Sequence, residues 1–484
     1  MYKYAKTGIA VSIALMGASC SDFLSGPGLT ENPNSPTSGT MLQQLIAVQA
    51  NMSRLFEGQL ARNATIYTQQ LIGSNNQQLQ YATQYLVGEN DITGFQSGFY
   101  TGGGLIGLRN IQAAANAAGD PFIEGIAKVW EGFSFGTATS IWGDLPYSEA
   151  LDPAILTPKL DPQQSIYASV QTRLDEGIAL LQSAPTTGNC DPGDLIYCSG
   201  SPLPNKAVQI SRWIAAANTM KARFYLHLVE RNGNAAYTLA LNAATNGISE
   251  VPTTAAQAIN GQAPGDFRDF HGSTQDVDAN IWGEFLLQRQ DVVAGNMLVS
   301  VLKARSDPRL TAYFDVNGSG NVIGMNADGV VTPAGQGAAS VINTAVRRAF
   351  SFRQPLVTWA ENQLIMAEAN YQLGNVAAAL VNVNNVRARV GLAALPSVTF
   401  DDVMLEKYIA QFQNIDSWSD YKRTCIPLVK PYLLTPEVPG RLPYGSAERT
   451  NNPNLPLPSA YPTGTTGVSA VRNWNDPNPC PRGP

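Results

Sequence analysis

The sequence predicts a mainly all-α protein. Tetratricopeptide-like helical hairpins form a solenoid scaffold, interrupted by long loop-rich insertions and one small β-hairpin. Three observations carry this reading. First, Trp359–Leu392 divides into two helices about a tight turn. Leu364, Ala367 and Tyr371 fall near one face of the first helix, and Ala379, Val383 and Val386 near one face of the second. Second, Gly374-Asn375 supplies the turn, Gly391 closes the second helix, and small residues (Ala367, Ala369, Ala378, Ala379) permit close approach of the two helices. Third, such a hairpin cannot bury its apolar face alone, and Pro121–Gln182 and Lys206–Thr245 offer further helix pairs to stack on it.

Taken in order, residues 1–19 read as a lipoprotein signal peptide. Lys3 and Lys6 precede an apolar run, Gly8–Met16, too short to span a bilayer, and small residues then lead to Cys20. Cys20 is the expected lipidation site, although Gly17 stands where such sites usually carry Leu; an ordinary secretory signal is the alternative. Residues 20–40, rich in Ser, Gly, Pro and Asn, read as an extended tether. Residues 41–484 read as a single helical domain with loop-rich insertions near 186–205, 248–290 and 315–340. Helices are expected over Met41–Gln59, Asn63–Ile72, Gln77–Val87 and from Leu105. Phe122, Ile126, Val129, Trp130 and Phe133 mark the apolar side of Pro121–Ile141. After the turn Trp142-Gly143-Asp144-Leu145-Pro146, Asp161 is the expected N-cap and Pro162 the first residue of the next helix. Later helices are expected over Lys206–Val229, Asn234–Thr245, Ala294–Arg305, Asp401–Gln413 and Ile415–Tyr421. Beyond Pro427 the chain reads as mostly irregular.

Composition bounds the function. Charged residues are 14% and the net charge is −6, against about 25% charged in an average globular chain. That balance argues against nucleic acid, whose phosphates need a basic face. Besides Cys20, four cysteines remain, and in an exported chain they suggest two disulfides with three possible connectivities. Cys190 and Cys198 bracket Asp191–Tyr197, while Cys425 and Cys480 both lie in the C-terminal part; we expect Cys190–Cys198 and Cys425–Cys480. Paired Cys-x-x-Cys spacing, which a zinc site would favour, does not occur.

Five blocks, in order along most of the mature chain, carry a family resemblance. They are Cys20-Ser21-Asp22-Phe23-Leu24; Trp142-Gly143-Asp144-Leu145-Pro146-Tyr147-Ser148-Glu149-Ala150; Trp213 to Arg223; the Leu364-to-Ala369 helix; and Arg441-Leu442-Pro443-Tyr444 with Glu448. The chain resembles the SusD/RagB family of surface lipoproteins, departing from its pattern at Gly445, where proline is usual. The resemblance implies an outer-membrane protein, lipid-anchored and facing outward. It implies capture of an oligomeric nutrient, typically a glycan, and its delivery to a SusC-type TonB-dependent transporter barrel, with no catalysis, cofactor or metal. A peptide or other nutrient is the alternative ligand, and a secreted or surface hydrolase the alternative class. The shared blocks are scaffold motifs, so Trp142, Asp144 and Glu368 are expected to serve structure.

Other motifs are weighed against plainer readings. Gly132-Phe133-Ser134-Phe135-Gly136 fits a nucleophile elbow, but its flanks have helical period. Gly102 to Gly107 fits G-x-G-x-x-G without a preceding strand. Asp315 to Gly320 is spaced like a calcium loop, yet position twelve is Asn326 rather than Glu, so turn chemistry is expected. His227 reads as a packed helix residue, and Arg347, Arg348 and Arg353 as a solvated or ion-paired face. For sugar recognition, an aromatic plane must meet the ring's C–H face while amides and charges meet its hydroxyls. Both ingredients occur in Asn75–Tyr100 and Asp266–Arg289, giving Tyr81, Tyr85, Phe99, Tyr100, Trp282 and Arg289 as candidate ligand contacts. Tyr81 and Tyr85, four residues apart, also fit a core-facing stripe, whereas Trp282 is expected in an irregular, exposed stretch.

Overall fold

The computed structural model describes residues 39–199, 202–275, 278–328, 331–332, 338–429, 437–456 and 471–480. The signal peptide, Cys20 and nearly all of the tether lie outside them. The first described helices are α1 (Met41–Glu57), α2 (Gln59–Tyr67), α3 (Asn76–Thr83), α4 (Glu89–Gly98) and α5 (Leu105–Ala118), with strand β1 (Leu71–Gly73) between α2 and α3. Long helices α6 (Pro121–Trp142), α7 (Gln163–Ser183) and α8 (Lys206–Leu226) follow, then α9 (Val229–Asn232), α10 (Asn234–Thr245) and α11 (Ala255–Asn260). After β2 (Phe267–Arg268) come α12 (Ile281–Gln288), β3 (Val292–Ala294), α13 (Asn296–Ala304) and α14 (Arg309–Tyr313). Short strands β4 (Gly324–Met325), β5 (Val331–Thr332) and β6 (Pro355–Val357) precede α15 (Trp359–Gln372) and α16 (Val376–Arg389). The chain then forms α17 (Phe400–Ala410), α18 (Asp416–Thr424) and α19 (Ser446–Asn451).

The predicted hairpin is α15–α16. Gly374 (φ 84°) makes its turn and Gly391 (φ 86°) its exit, both left-handed. Its neighbours are the expected ones: α5 packs on α6, α6 on α7, α7 on α8, α8 on α10, α10 on α15, and α15 on both α16 and α17. This order is the stacked solenoid the sequence predicts. The strands form three two-stranded antiparallel pairs, β1–β3, β2–β6 and β4–β5, the last being the small hairpin. Helix α6 is buried along most of its length because glycines let its neighbours in. A Cβ on Gly132 would meet Leu174 at 2.8 Å, and one on Gly136 would meet the Phe224 ring at 2.3 Å. Ser134, between them, is fully buried mid-helix and donates to Glu131 O, so the nucleophile-elbow pattern is a packing pattern.

Buried ion pairs tie the layers together. The Arg223 Nε and Nη2 each donate at 2.6 Å to Glu361, and Asp416 lies 3.6 Å away. Glu368 receives Lys407 at 3.3 Å and Arg423. His227 is packed as expected, between the Tyr167 hydroxyl (3.0 Å) and Asp416 (2.8 Å). Trp142 donates to Pro443 O (2.9 Å) and Tyr444 to Asp144 O (2.6 Å), so the shared blocks do serve the scaffold. Both expected disulfides form, Cys190–Cys198 and Cys425–Cys480.

Three local expectations are corrected. Pro162, not Asp161, stands at the N-cap of α7, and the first helical N–H, that of Gln163, donates to Asp144 Oδ1 at 2.8 Å; Asp161 instead accepts from Tyr147 N and Ser148 N, closing the preceding turn. The predicted helix at Asn63–Ile72 is α2, and the chain from Leu71 turns to strand because Ile72 pairs with Val293. Arg347 is not on a solvated face: it is buried, 4.3 Å over the Tyr313 ring and 5.1 Å over Phe412, and burial lowers its pKa to about 10.

Candidate functional site

A cavity of about 310 Å³ opens where α1, the disulfide-clipped loop and the start of α12 meet. Helix α1 presents Ile46, Gln49, Ala50 and Ser53, one face at helical spacing. The clipped loop presents Leu195 and Ile196. The third wall is Asp269-Phe270-His271, with Ile281 closing the end.

Each wall is fixed by buried polar groups. Asp194 is fully buried under the clipped loop. Its Oδ1 accepts from Ile196 N (3.0 Å) and Tyr197 N (3.2 Å), and its Oδ2 from Gln209 Nε2 and Trp213 Nε1 (both 2.7 Å). Burial raises the Asp194 pKa against the pull of those four donors. Gln49 staples the same loop to α1, donating to Gly193 O (2.8 Å) and accepting from Leu195 N (3.0 Å). Arg353 joins the remaining walls. Its guanidinium donates to the carbonyls of Leu195 (3.1 Å), Ile196 (2.9 Å), Arg268 (3.0 Å) and Asp269 (2.9 Å). Burial brings its pKa down to about 10, so it stays charged at neutral pH.

The floor carries a compact acid–imidazole group. His271 Nε2 lies 2.7 Å from Glu57 Oε1. Burial would lower the His271 pKa, but the Glu57 carboxylate outweighs it and the net shift is upward. Asp269, buried beside Glu57 and Ser53, is pushed well above the usual carboxylate range, first by burial and then by Glu57. Above it, the Phe270 ring stands partly exposed with the Arg353 guanidinium 6.0 Å from its centroid. The arrangement offers one aromatic edge, aliphatic walls and a polar floor, the makings of a recognition pocket.

Only part of the predicted site is found here. Phe270 and His271 come from the predicted Asp266–Arg289 stretch, whereas the α1 face, Asp194 and Arg353 were not foreseen. Their only trace in the sequence is the i, i+4 pair Gln49–Ser53. Tyr81, Tyr85 and Phe99 are core residues, each 4% exposed or less. Tyr85 packs on Tyr67 at 5.4 Å, and Phe99 on Phe56 at 6.2 Å and Trp142 at 5.7 Å. Tyr100 is buried with its hydroxyl on Pro146 O (2.9 Å). Trp282 overturns the expectation of exposure: Asn280 caps α12 at Trp282 N, and the helix turns the indole wholly inward. Arg289, at the end of α12, is exposed. The Asp315 stretch is turn chemistry, with Asp315 accepting from Thr344 and Asn317 from Ser319 N and Asn321 N. Gly102 and Gly103 lead, with positive φ, into α5 rather than away from a strand.

Against known proteins, a family profile described as "SusD-like, starch-binding associating with outer membrane" matches residues 31–445. The chain belongs to the SusD-like family. No curated protein matches it in sequence. Similar solved structures include a SusD/RagB family protein from Bacteroides thetaiotaomicron, 20% identical, covering 91% of this chain and 99% of that one with a TM-score of 0.68. A chitin-binding protein is 23% identical over 91% of this chain and all of the other (100%), with a TM-score of 0.69. A chitin-binding SusD homolog from Flavobacterium johnsoniae is 17% identical, with 90% and 97% covered and a TM-score of 0.67. These likenesses show that the SusD-like helical fold is shared along nearly the whole chain. Among the described residues, no helix is long and apolar enough to cross a membrane.

Proposed function

We propose that this SusD-like protein captures an extracellular glycan and delivers it to a SusC-type TonB-dependent barrel. It acts by recognition, without bond chemistry, while Cys20 holds it by lipid to the outer face of the outer membrane. The observation that carries the reading is the pocket between α1, the clipped loop and Asp269–His271. Phe270 gives a sugar ring an aromatic edge, and Asp278 stands where a hydroxyl would need a partner. Family membership supports the same ligand class and the outer-membrane setting. The two chitin-binding relatives bear on glycans as a class and not on which glycan this chain takes.

The test uses the full chain extracted from envelopes in mild detergent. Mass spectrometry of what co-purifies should identify a TonB-dependent barrel, and a polysaccharide panel should give binding that Phe270→Ala weakens at unchanged melting temperature. A chain that brings down no barrel and binds no polysaccharide would defeat the proposal.

A further inference from the structure

The side chains that donate hydrogen bonds in the walls of the Phe270 pocket already do so inside the protein. Gln49 gives both Nε2 hydrogens to main-chain carbonyls, Leu45 O at 3.1 Å and Gly193 O at 2.8 Å. Ser53 has one hydroxyl proton and donates to Gln49 O at 3.3 Å. Both ring nitrogens of His271 face acceptors of the protein, Glu57 Oε1 at 2.7 Å and Asp278 O at 3.2 Å. Arg353, behind the wall, commits all three nitrogens: Nε to Asp269 O, Nη1 to Ser199 Oγ, and Nη2 to the carbonyls of Leu195, Ile196 and Arg268.

What the pocket offers a ligand is apolar surface and one carboxylate. Ile46 and Phe270 are 37% and 36% exposed, Ala50 is exposed, and Leu195 and Ile281 are half-buried, so a ligand reaches them from solvent. Asp278 is exposed at the same mouth, where its Oδ1 accepts from Thr274 N at 3.3 Å. A carboxylate has room for about four hydrogen bonds, so acceptor sites remain on it. A ring that turned a hydroxyl or an acidic group toward Ile46 and Ile281 would lose water there and meet no side-chain donor in return. A methyl group in that place has no hydrogen bond to lose and gains from leaving water. Hydroxyl or amide N–H groups on neighbouring ring carbons then donate to Asp278, the stronger for its charge. One such substituent in an apolar pocket discriminates by about tenfold or more.

We propose that this pocket is a subsite for a methyl-bearing sugar residue, whose methyl packs on Ile46, Ala50, Leu195 and Ile281 while a neighbouring O–H or N–H donates to Asp278. Two kinds of residue carry that chemistry, a 6-deoxyhexose and an acetamido sugar. The inference rests on the glycan-capture reading and narrows it from glycans in general to those with an apolar substituent.

The test is calorimetric titration of the full detergent-extracted protein with two matched pairs of sugars. One pair is fucosyllactose and its L-galactosyl analogue, which differ only in a methyl against a hydroxymethyl group. The other is the β-linked tetramer of N-acetylglucosamine and that of glucose, which differ only in an acetamido against a hydroxyl group. The expected result is a preference of about tenfold or more for the methyl-bearing member of one pair. The pair in which it appears identifies the source of the methyl. Ile46→Asn, which puts an amide into the apolar wall at an exposed position, should bring that pair close to parity at unchanged melting temperature. Ala50→Trp, which blocks the mouth, should abolish binding of both members; if one variant does not fold, the other decides alone. Equal affinity within each pair, a preference for the hydroxylated member, or a preference that survives these substitutions overturns the subsite while glycan capture stands. Failure of both pairs beside a polysaccharide that does bind overturns it in the same way. Failure of both pairs and of a wider polysaccharide panel removes the subsite together with the capture reading.

Discussion

Replacing Asp194 by Ala should loosen one wall of the pocket before it unfolds the protein. The carboxylate accepts four hydrogen bonds, two from the loop it supports and two from α8. Hydrogen bonds to a charged group contribute about 1.5 kcal/mol each at the low end, or about 6 kcal/mol gross. Burial of the charge works against this, as the upward pKa shift shows, and the Cys190–Cys198 link still limits how far the loop can move. A net loss of about 3 kcal/mol is the reasonable figure. Unfolding entropy near 2.1 cal/mol/K per residue gives about 1 kcal/mol/K for a chain of this size, so a cooperative melt should fall by about 3 °C. Hydrogen exchange supplies the sharper assay. The amides of Ile196 and Tyr197 should lose protection by a factor of 100 or so, corresponding to about 3 kcal/mol of local stability, while the hairpin α15–α16 keeps its own. Unchanged protection at Ile196 and Tyr197 would refute the claim that Asp194 holds this wall.

Trp282→Ala should cost about 3–5 kcal/mol, since the indole is wholly enclosed; chemical denaturation would show a reduced midpoint, and an unchanged one would place the residue outside the core. Gly136→Ala should destabilise by about 1–3 kcal/mol, because the added methyl lies against the Phe224 ring; Gly318→Ala, which meets nothing within 4 Å, is the matched control in the same melts. Asp266, buried and accepting from Trp359 N and Ala263 N, has a folded pKa raised by burial to about 6, against 3.8 ordinarily. Folding therefore favours its protonated form. Its contribution is full below about pH 4 and is lost as pH rises through 6, a swing of about 3 kcal/mol. Urea midpoints for wild type and Asp266→Asn should differ in pH slope across that window, the variant being the flatter.

The helical scaffold was legible because it depends on local pattern. Apolar spacing, Gly374 and Gly391 are sufficient to define α15–α16, and Pro121 with the glycine-spaced run after it defines α6. The site was less so, because its walls meet through contacts between distant residues. Gln49 reaches Gly193, and Arg353 reaches Leu195, across 144 and 158 residues of sequence. Aromatic residues misled for a related reason. A tryptophan in a stretch that reads as irregular looks exposed until its helix is known, and only the cap at Asn280 fixes which way Trp282 points. Arg353 resembled a surface charge because its partners are main-chain carbonyls, which no side-chain pattern announces.

The carbonyl of Ser140, at the end of α6, receives Lys422 Nζ at 2.6 Å and Asn473 Nδ2 at 2.8 Å, donors that lie 282 and 333 residues further on. During synthesis the chain emerges from its N-terminus, so this buried acceptor waits for donors made hundreds of residues later. The helices of the first half can form early, but the seam that locks them closes last. A chain interrupted before residue 473 would leave that seam open, with buried polar groups unmet. Closure of this part of the interior thus depends on residues made long after the helices they join.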